Sequence, residues 1–506
     1  VPDAKVGPQR VYIPAVGMKG IRANVEPIYL DNQELVDGNN MVFDDGALVT
    51  RPGFSASATP ITGQIYGLGE FWDGTNWRHV NYAAAAAGMW TGYGAGAVTT
   101  YNYDTDTAAA IVSSSGMDTH LYAMAPTLGL QKLTRAGAAF AKIATVDNTL
   151  GVTVTGAKVL RTFRQHLVMF NTTESGTNRP QRMRWCSAGD PDTWDPAPAA
   201  SSASWLDIVT DEFEIQNAMQ FGQYMMVYKT GAIAAVSYIG GNSVYQVDTA
   251  VDGVGLWAPL SLISDGDSHL FIARDGIRKY SGGVQAPLMD EKVQPFLMAN
   301  MSKAPSDVVK AFASFDRINR RAYFFAIDID GSTWNAFVYD ANYKSWFRYT
   351  LATTPVHAFY LRDGETTVAF SGSNQDALAV VFLLSGGATY GLTLQRDGYY
   401  KDYGTSYQPY FVTKDFTSGS MAMDLFIRVQ RVRLELKGTS VDASYSVNGG
   451  TSWTAIATQA LTSAWKVYDF FIDKSARMIR FKFAATGTDW FDARWMLLEY
   501  LEEGKY

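Results

Sequence analysis

Residues 270–280, Leu270-Phe271-Ile272-Ala273-Arg274-Asp275-Gly276-Ile277-Arg278-Lys279-Tyr280, hold a short apolar run, a turn at Arg274-Asp275-Gly276 and a second short run. An Asp-Gly turn between two such runs is a strong hairpin signal, because the tight primed turns need positive φ. The unit recurs on both sides. Residues 120–133 carry two strands about a Pro-Thr-Leu-Gly turn, and residues 165–171 read as a strand. Residues 224–239 turn at Thr230-Gly231, residues 322–329 and 334–339 meet across Asp330-Gly331, and residues 343–349 follow as the next strand. Residues 358–361 and 366–370 are expected to pair across Asp363-Gly364, and residues 380–384 and 389–392 across Gly386-Gly387.

Hairpins in this number, with almost no helix between them, predict an all-β chain. A radial β-propeller is the expected arrangement, since it leaves few strand edges exposed. At four strands per blade, roughly six or more blades fit over about residues 59–402. One insertion breaks the pattern. Residues 287–314 space Leu288, Val293, Phe296, Leu297, Met301, Val308, Val309 and Phe312 at helical intervals, with Ser306 as a candidate N-cap and breaks at Pro295 or Pro305. From residue 403 the strands lengthen and alternate, as in Val429-Gln430-Arg431-Val432-Arg433-Leu434-Glu435-Leu436. This predicts a C-terminal β-sandwich over 403–506, after a boundary near 397–406. Residues 1–58 form an N-terminal strand and loop segment.

Bulk properties agree with short strands and tight turns. Of 506 residues, 18% are charged and 13% aromatic, and glycine numbers 45. The net charge of −7 and the lack of a basic run argue against sequence-specific DNA binding, which needs lysine and arginine to displace counterions. A single cysteine, Cys186, excludes an intrachain disulfide and reads as a small buried residue. Residues 1–10 carry no apolar signal-peptide core, and no aliphatic run is long enough for a membrane-spanning helix. A soluble protein made in a cytoplasm is expected.

No catalytic constellation emerges. His79, His120, His166, His269 and His357 sit in separate hairpins with no metal-binding spacing. There is no phosphate-loop pattern, and Tyr93-Gly94-Ala95-Gly96 lacks a basic helix after it. The turn carboxylates (Asp44/Asp45, Asp104/Asp106, Asp190/Asp192/Asp195, Asp328/Asp330) read first as side chains bonding their own backbone, and second as a glycosidase pair. Ser446-Val447-Asn448-Gly449-Gly450-Thr451-Ser452-Trp453 resembles the Asp-box hairpin of sialidase-like propellers, with Asn448 at the usual Asp. That hairpin is a structural turn even in enzymes. Asn448 and the glycines are expected in left-handed positions, with Trp453 packed over them.

Two further motifs stand out. The first is Asn39-Asn40-Met41-Val42-Phe43-Asp44-Asp45-Gly46-Ala47-Leu48-Val49-Thr50-Arg51-Pro52-Gly53-Phe54. The second runs over residues 163–194 and includes Arg182, Arg184, Trp185, Gly189, Asp190, Pro191 and Trp194. Gly189-Asp190-Pro191 reads as a turn with Trp194 as its anchor. Arg182 and Arg184 alternate on one strand, and either pair with loop carboxylates or face a neighbouring subunit. In order, the two motifs resemble the tail nozzle, hub or stabilisation proteins of short-tailed bacteriophages. The end of the chain, Leu498-Glu499-Tyr500-Leu501 with a charged tail, is similar too, while Cys186 stands where serine is more usual.

The resemblance implies a structural virion protein of the tail rather than an enzyme, with no cofactor. It implies a hexameric ring around the channel for double-stranded DNA, below the head-to-tail adaptor protein, which residues 1–58 would face. Tail fibres or tailspikes would dock outside. Arg51, Pro52, Gly53 and the second-motif residues would be structural or interface residues, and assembly would take place in the host cytoplasm. The alternative is a carbohydrate-active or carbohydrate-binding propeller, a sialidase-like enzyme or a receptor-binding lectin.

Overall fold

The hairpin at Arg274-Asp275 forms as its sequence dictates: Ala273 pairs with Gly276 and Leu270 with Lys279. The computed structural model describes residues 8–503 except 57–59, 73–76, 85, 91–97, 105–107, 109, 135–136, 138, 199–200, 210–211, 242, 284–287, 290, 362–376, 385–388, 397 and 419–424. The protein is predominantly β-strand, with two short helices among the described residues.

Among the described residues seven sheets follow one another along the chain, each beginning with an antiparallel hairpin ladder of nearest neighbours. Sheet I starts at Ile65–Trp72, II at Ser113–Met117, III at Val152–Phe163, IV at Ile215–Phe221, V at Ile263–Ser264, VI at Phe312–Asp316 and VII at Pro355–Leu361. Sheet III also takes Val146–Asp147 on its first strand. The starting strands touch in sequence: I with II, II with III, III with IV, V with VI, VI with VII, and VII with I. Apolar side chains fill the space between neighbouring sheets. Leu270, Ile272, Phe324 and Phe337, for example, are buried together between V and VI.

Sheet VII is completed from far away. Its third strand, Thr389–Arg396, pairs with Gly53–Ala56 in the register Arg396↔Gly53 to Thr393↔Ala56. A strand from before sheet I therefore covers an edge that would otherwise expose unpaired backbone groups.

Two more sheets form from both chain ends. One orders Met41–Asp44, Ala47–Thr50, Phe491–Glu503, Phe426–Gly438 and Lys466–Ala476, with Gln9–Ile13 also on Phe491–Glu503. The other orders Leu35–Asn39, Tyr410–Thr413, Arg480–Ala484, Ser440–Ser446 and Thr454–Ala460. Their inner residues, including Val432, Leu434, Phe411, Phe483 and Leu498, share one buried cluster that continues into sheets VI and VII. A register shift between Val429 and Arg431 puts both Val429 and Val432 inside despite their odd spacing. The N-terminal segment is thus no free-standing unit: its strands are spent on sheets of the C-terminal region and on sheet VII. Alternation within a strand shows which face is buried, but not which distant strand it pairs with.

Local expectations differ in a few places. The insertion holds α1, Gln294–Asn300, and α2, Pro305–Val308. Ser306 is not the cap. Ala304 takes that position and Pro305 the first helical position, where its missing N–H costs nothing. Phe312 begins a strand, because its ring is needed between Phe325 and His357. Leu361 pairs with Ala377, and the expected strand at 366–370 lies outside the described residues. In the Asp-box-like turn Gly449 and Gly450 take positive φ, at 70° and 87°, and Asn448 does not. The Asn448 Oδ1 instead accepts from Ser446 Oγ (2.8 Å) and the Ser452 amide (3.0 Å). No helix among the described residues is long and apolar enough to cross a membrane.

Candidate functional site

Arg51 follows the strand Ala47–Thr50 and is fully buried. Its Nη1 and Nη2 donate to Asp402 Oδ1 (2.9 Å) and Oδ2 (2.6 Å), and its Nε donates to Asn40 Oδ1 (2.9 Å). The guanidinium lies 3.8 Å from the centre of the Tyr407 ring, whose hydroxyl donates to the Arg51 carbonyl (2.5 Å). The Ala352 amide, at the end of sheet VI, also donates to Asp402 (3.1 Å). Pro52 fixes the backbone here and its carbonyl accepts from Arg51 Nη1 (3.3 Å). Gly53 then passes so close to Lys401 that a Cβ would sit 2.3 Å from the Lys401 carbonyl oxygen. The first motif is therefore a buried clamp among the N-terminal segment, sheets VI and VII and residue 402.

The second motif builds a longer ionic chain inside sheet III. Arg182 binds Glu174 (2.9 Å) and, through Nε and Nη2, Asp207 (2.8 and 2.9 Å). Arg184 binds Glu174 (3.1 Å) and Asp147 (2.8 Å). Charges alternate from Asp147 through Arg184, Glu174 and Arg182 to Asp207. The Arg182 guanidinium stacks 4.0 Å from the Trp205 ring. Its hydrogen bonds with Asp207 hold that carboxyl below, and Arg182 above, their ordinary values. The carboxylates that these arginines meet, Asp147, Glu174 and Asp207, lie on strands and not in the loop at 189–195.

Trp185 donates from Nε1 to the Ser202 carbonyl (2.8 Å) and meets Tyr245 edge-on. In the following loop Gly189 has φ 70°, and its amide donates to the Gln165 carbonyl (2.8 Å). Asp190 accepts from Thr193 Oγ1 (2.7 Å) and from the Asp192 amide (3.2 Å). Trp194 is buried and donates to the Pro191 carbonyl (2.7 Å), pinning the loop beside Cys186. Burial pushes the Cys186 thiol up to about 12, so it stays protonated. Each motif residue thus has a structural contact inside the chain.

Several of the remaining candidates are similarly occupied, while Asp106 and Tyr93-Gly94-Ala95-Gly96 lie outside the described residues. Asp330 accepts from Thr333 Oγ1 and from the amides of Ser332 and Thr333, and Thr333 above all draws its carboxyl down to about 2. His166 lies among the Arg164 carbonyl, Ser202 and Tyr245. His269 lies between Tyr228 and the Gln220 carbonyl, and burial lowers it to about 4. His120 and His357 bond backbone carbonyls, and the side chain of His79 lies outside the described residues. Among the described residues no group of three or more His, Cys, Asp or Glu could hold a metal ion.

What the sequence did not disclose is a cavity of about 1130 Å³. Leu68, Ser113, Lys158, Gln216, Ala313 and His357 bring it residues from the starting strands of sheets I, II, III, IV, VI and VII, and Leu260 and Leu262 reach it just before sheet V. Arg161 faces it as well.

No family model and no curated protein matches this chain. Among solved structures it is similar to BBS1N in complex with ARL6DN (10% identity, 69% of this chain and 98% of that one, TM-score 0.38). It is similar to the Pan2 WD40 domain of Neurospora crassa (10%, 71% and 99%, 0.38). It is also similar to an exo-β-1,3-galactanase of Phanerochaete chrysosporium with β-1,3-galactotriose (9%, 88% and 100%, 0.29).

Proposed function

We propose that this chain is a structural, non-catalytic virion protein of a short-tailed phage, forming part of the tail nozzle or tube. In this reading the seven sheets are blades of a β-propeller whose last blade is closed by Gly53–Ala56. The two terminal sheets are a β-sandwich built from both chain ends. Copies assemble as a hexameric ring between the head-to-tail adaptor and the fibres or tailspikes, and the ring conducts double-stranded DNA. A neutral to acidic channel lining suits that role, since DNA must slide without sticking.

The observation that carries the structural reading is how the two motifs are used. Arg51, Arg182, Arg184 and Trp194 anchor chain segments to one another, and none is presented to a substrate. Mechanical load on a ring subunit is resisted by such interior fasteners, and of these four Arg51–Asp402 spans the largest separation in the chain. Mass spectrometry of purified phage particles tests the reading. The chain is expected among the virion proteins in a copy number that fits one ring, and its absence from particles overturns the assignment.

The large cavity favours a second reading, a carbohydrate-binding or carbohydrate-active propeller, because ligand sites are concave and few. Release of reducing ends from host surface polysaccharide would select the enzymatic form, and a saturable signal on a glycan array the lectin.

A further inference from the structure

We infer that the cavity among the starting strands of the seven sheets binds a small oxyanion, a phosphate or a carboxylate, with Arg161 as its principal donor. This goes beyond the tail assignment and does not depend on it.

Arg161 is held by neutral acceptors only. Its Nε donates to the Ala218 carbonyl (2.8 Å), and Nη1 to Ser113 Oγ (3.1 Å) and the Leu160 carbonyl (2.7 Å). Nη2 donates to Asn217 Oδ1 (2.7 Å). These bonds fix the plane of the guanidinium without neutralising it. They use four of its five N–H groups, which leaves one on Nη2. No carboxylate among the described residues forms an ion pair with Arg161, unlike Arg51, Arg182, Arg184, Arg321 and Arg480. Desolvation alone pulls Arg161 down to about 10, whereas Arg182, bonded to Asp207, is raised. A partly buried cation without a counter-ion is costly unless something in the adjoining space compensates it.

The rest of the lining has the same sign. Lys158, Arg161 and Arg274 face Glu214, three cations against one carboxylate, on a chain whose net charge is −7. Lys158 already engages Glu214 (3.4 Å) and Gln216 (2.7 Å), so Arg161 and Arg274 supply the excess. His357 is kept neutral by burial and adds nothing at pH 7. At about 1130 Å³ the space admits an anion carried on a larger molecule, such as a sugar phosphate or a sugar acid, as readily as the free ion.

The test is calorimetric titration of the full chain at pH 7 and fixed ionic strength, with inorganic phosphate in one series and glucuronate in another. Saturable binding of phosphate alone assigns a phosphoryl group, and of glucuronate alone a carboxylate. Both would mean that charge is read and not shape. R161Q, checked for folding by circular dichroism, is expected to weaken binding at least tenfold, with R161K retaining part of it. Should R161Q not fold, R161K and R274Q are each expected to weaken binding severalfold. Failure of both ligands to saturate overturns the inference, as do folded R161Q, or R161K and R274Q together, binding like the unmodified chain.

Discussion

Arg51 and Asp402, 351 positions apart in the chain, meet as a two-bonded ion pair with neither side chain exposed. The pair joins the N-terminal segment to the short strand Lys401–Asp402 near the edge of sheet VII, and Tyr407 and Asn40 close around it. Breaking a buried pair from one side strands the other charge, at about 3–5 kcal/mol. R51A and D402A are each expected to lower the urea midpoint strongly. R51K is expected to fail as well, because an ammonium cannot reproduce the planar two-bond geometry. The paired change R51M/D402L should lose less than the sum of the single changes, and an additive result would show that the charges do not interact.

Glu174 links two arginines in the interior of sheet III. E174Q keeps the shape and removes the charge that both share, so it should lower stability more than D207N, whose site is partly exposed. Denaturant unfolding followed by tryptophan fluorescence reads this directly, since Trp185 and Trp205 lie beside the chain of charges. Equal losses would remove Glu174 from its central place.

The buried histidines set a pH dependence. His166, His269 and His357 all have lowered folded values, each chiefly through burial, and His269 falls to about 4. The unfolded chain binds protons near pH 6.5 and the folded chain does not. Stability is therefore complete above about pH 6.5 and declines as pH falls toward 4. Urea midpoints at pH 7.5 and 5 should show that loss, and H269Q should make it smaller. A midpoint that rises on acidification contradicts the assignment.

Two glycines separate crowding from backbone strain. Gly53 has backbone atoms of Lys401 where a Cβ would go, whereas Gly189 has open space but φ 70°. G189A should cost about 1 kcal/mol. G53A should cost more, because within sheet VII the strand Gly53–Ala56 must part from Lys401 to admit the methyl group. Thermal melts of the two variants give the order.

Much of the strand content was legible, for a local reason. Turns such as Thr230-Gly231 and Arg274-Asp275 lie between residues that pair with each other, so hairpin and register reside in a dozen residues. The pairing of Gly53 with Arg396 does not reside in any short window, and neither does that of Gln9 with Tyr500. The motif arginines were visible, but their partners were not. Glu174 pairs with Thr177 at a hairpin end, and Asp147 lies on an added strand, so neither is marked by spacing as an arginine acceptor. Arg161 went unnoticed because a lone arginine on a strand looks like a solvated one.

The central claim is that this chain sits on the axis of a short phage tail. Gold-labelled antibody against it, applied to intact particles from the source and viewed by negative-stain electron microscopy, tests that claim most directly. The account predicts label confined to the tail stalk on its axis. Label on peripheral spikes, or particles carrying none, would contradict it.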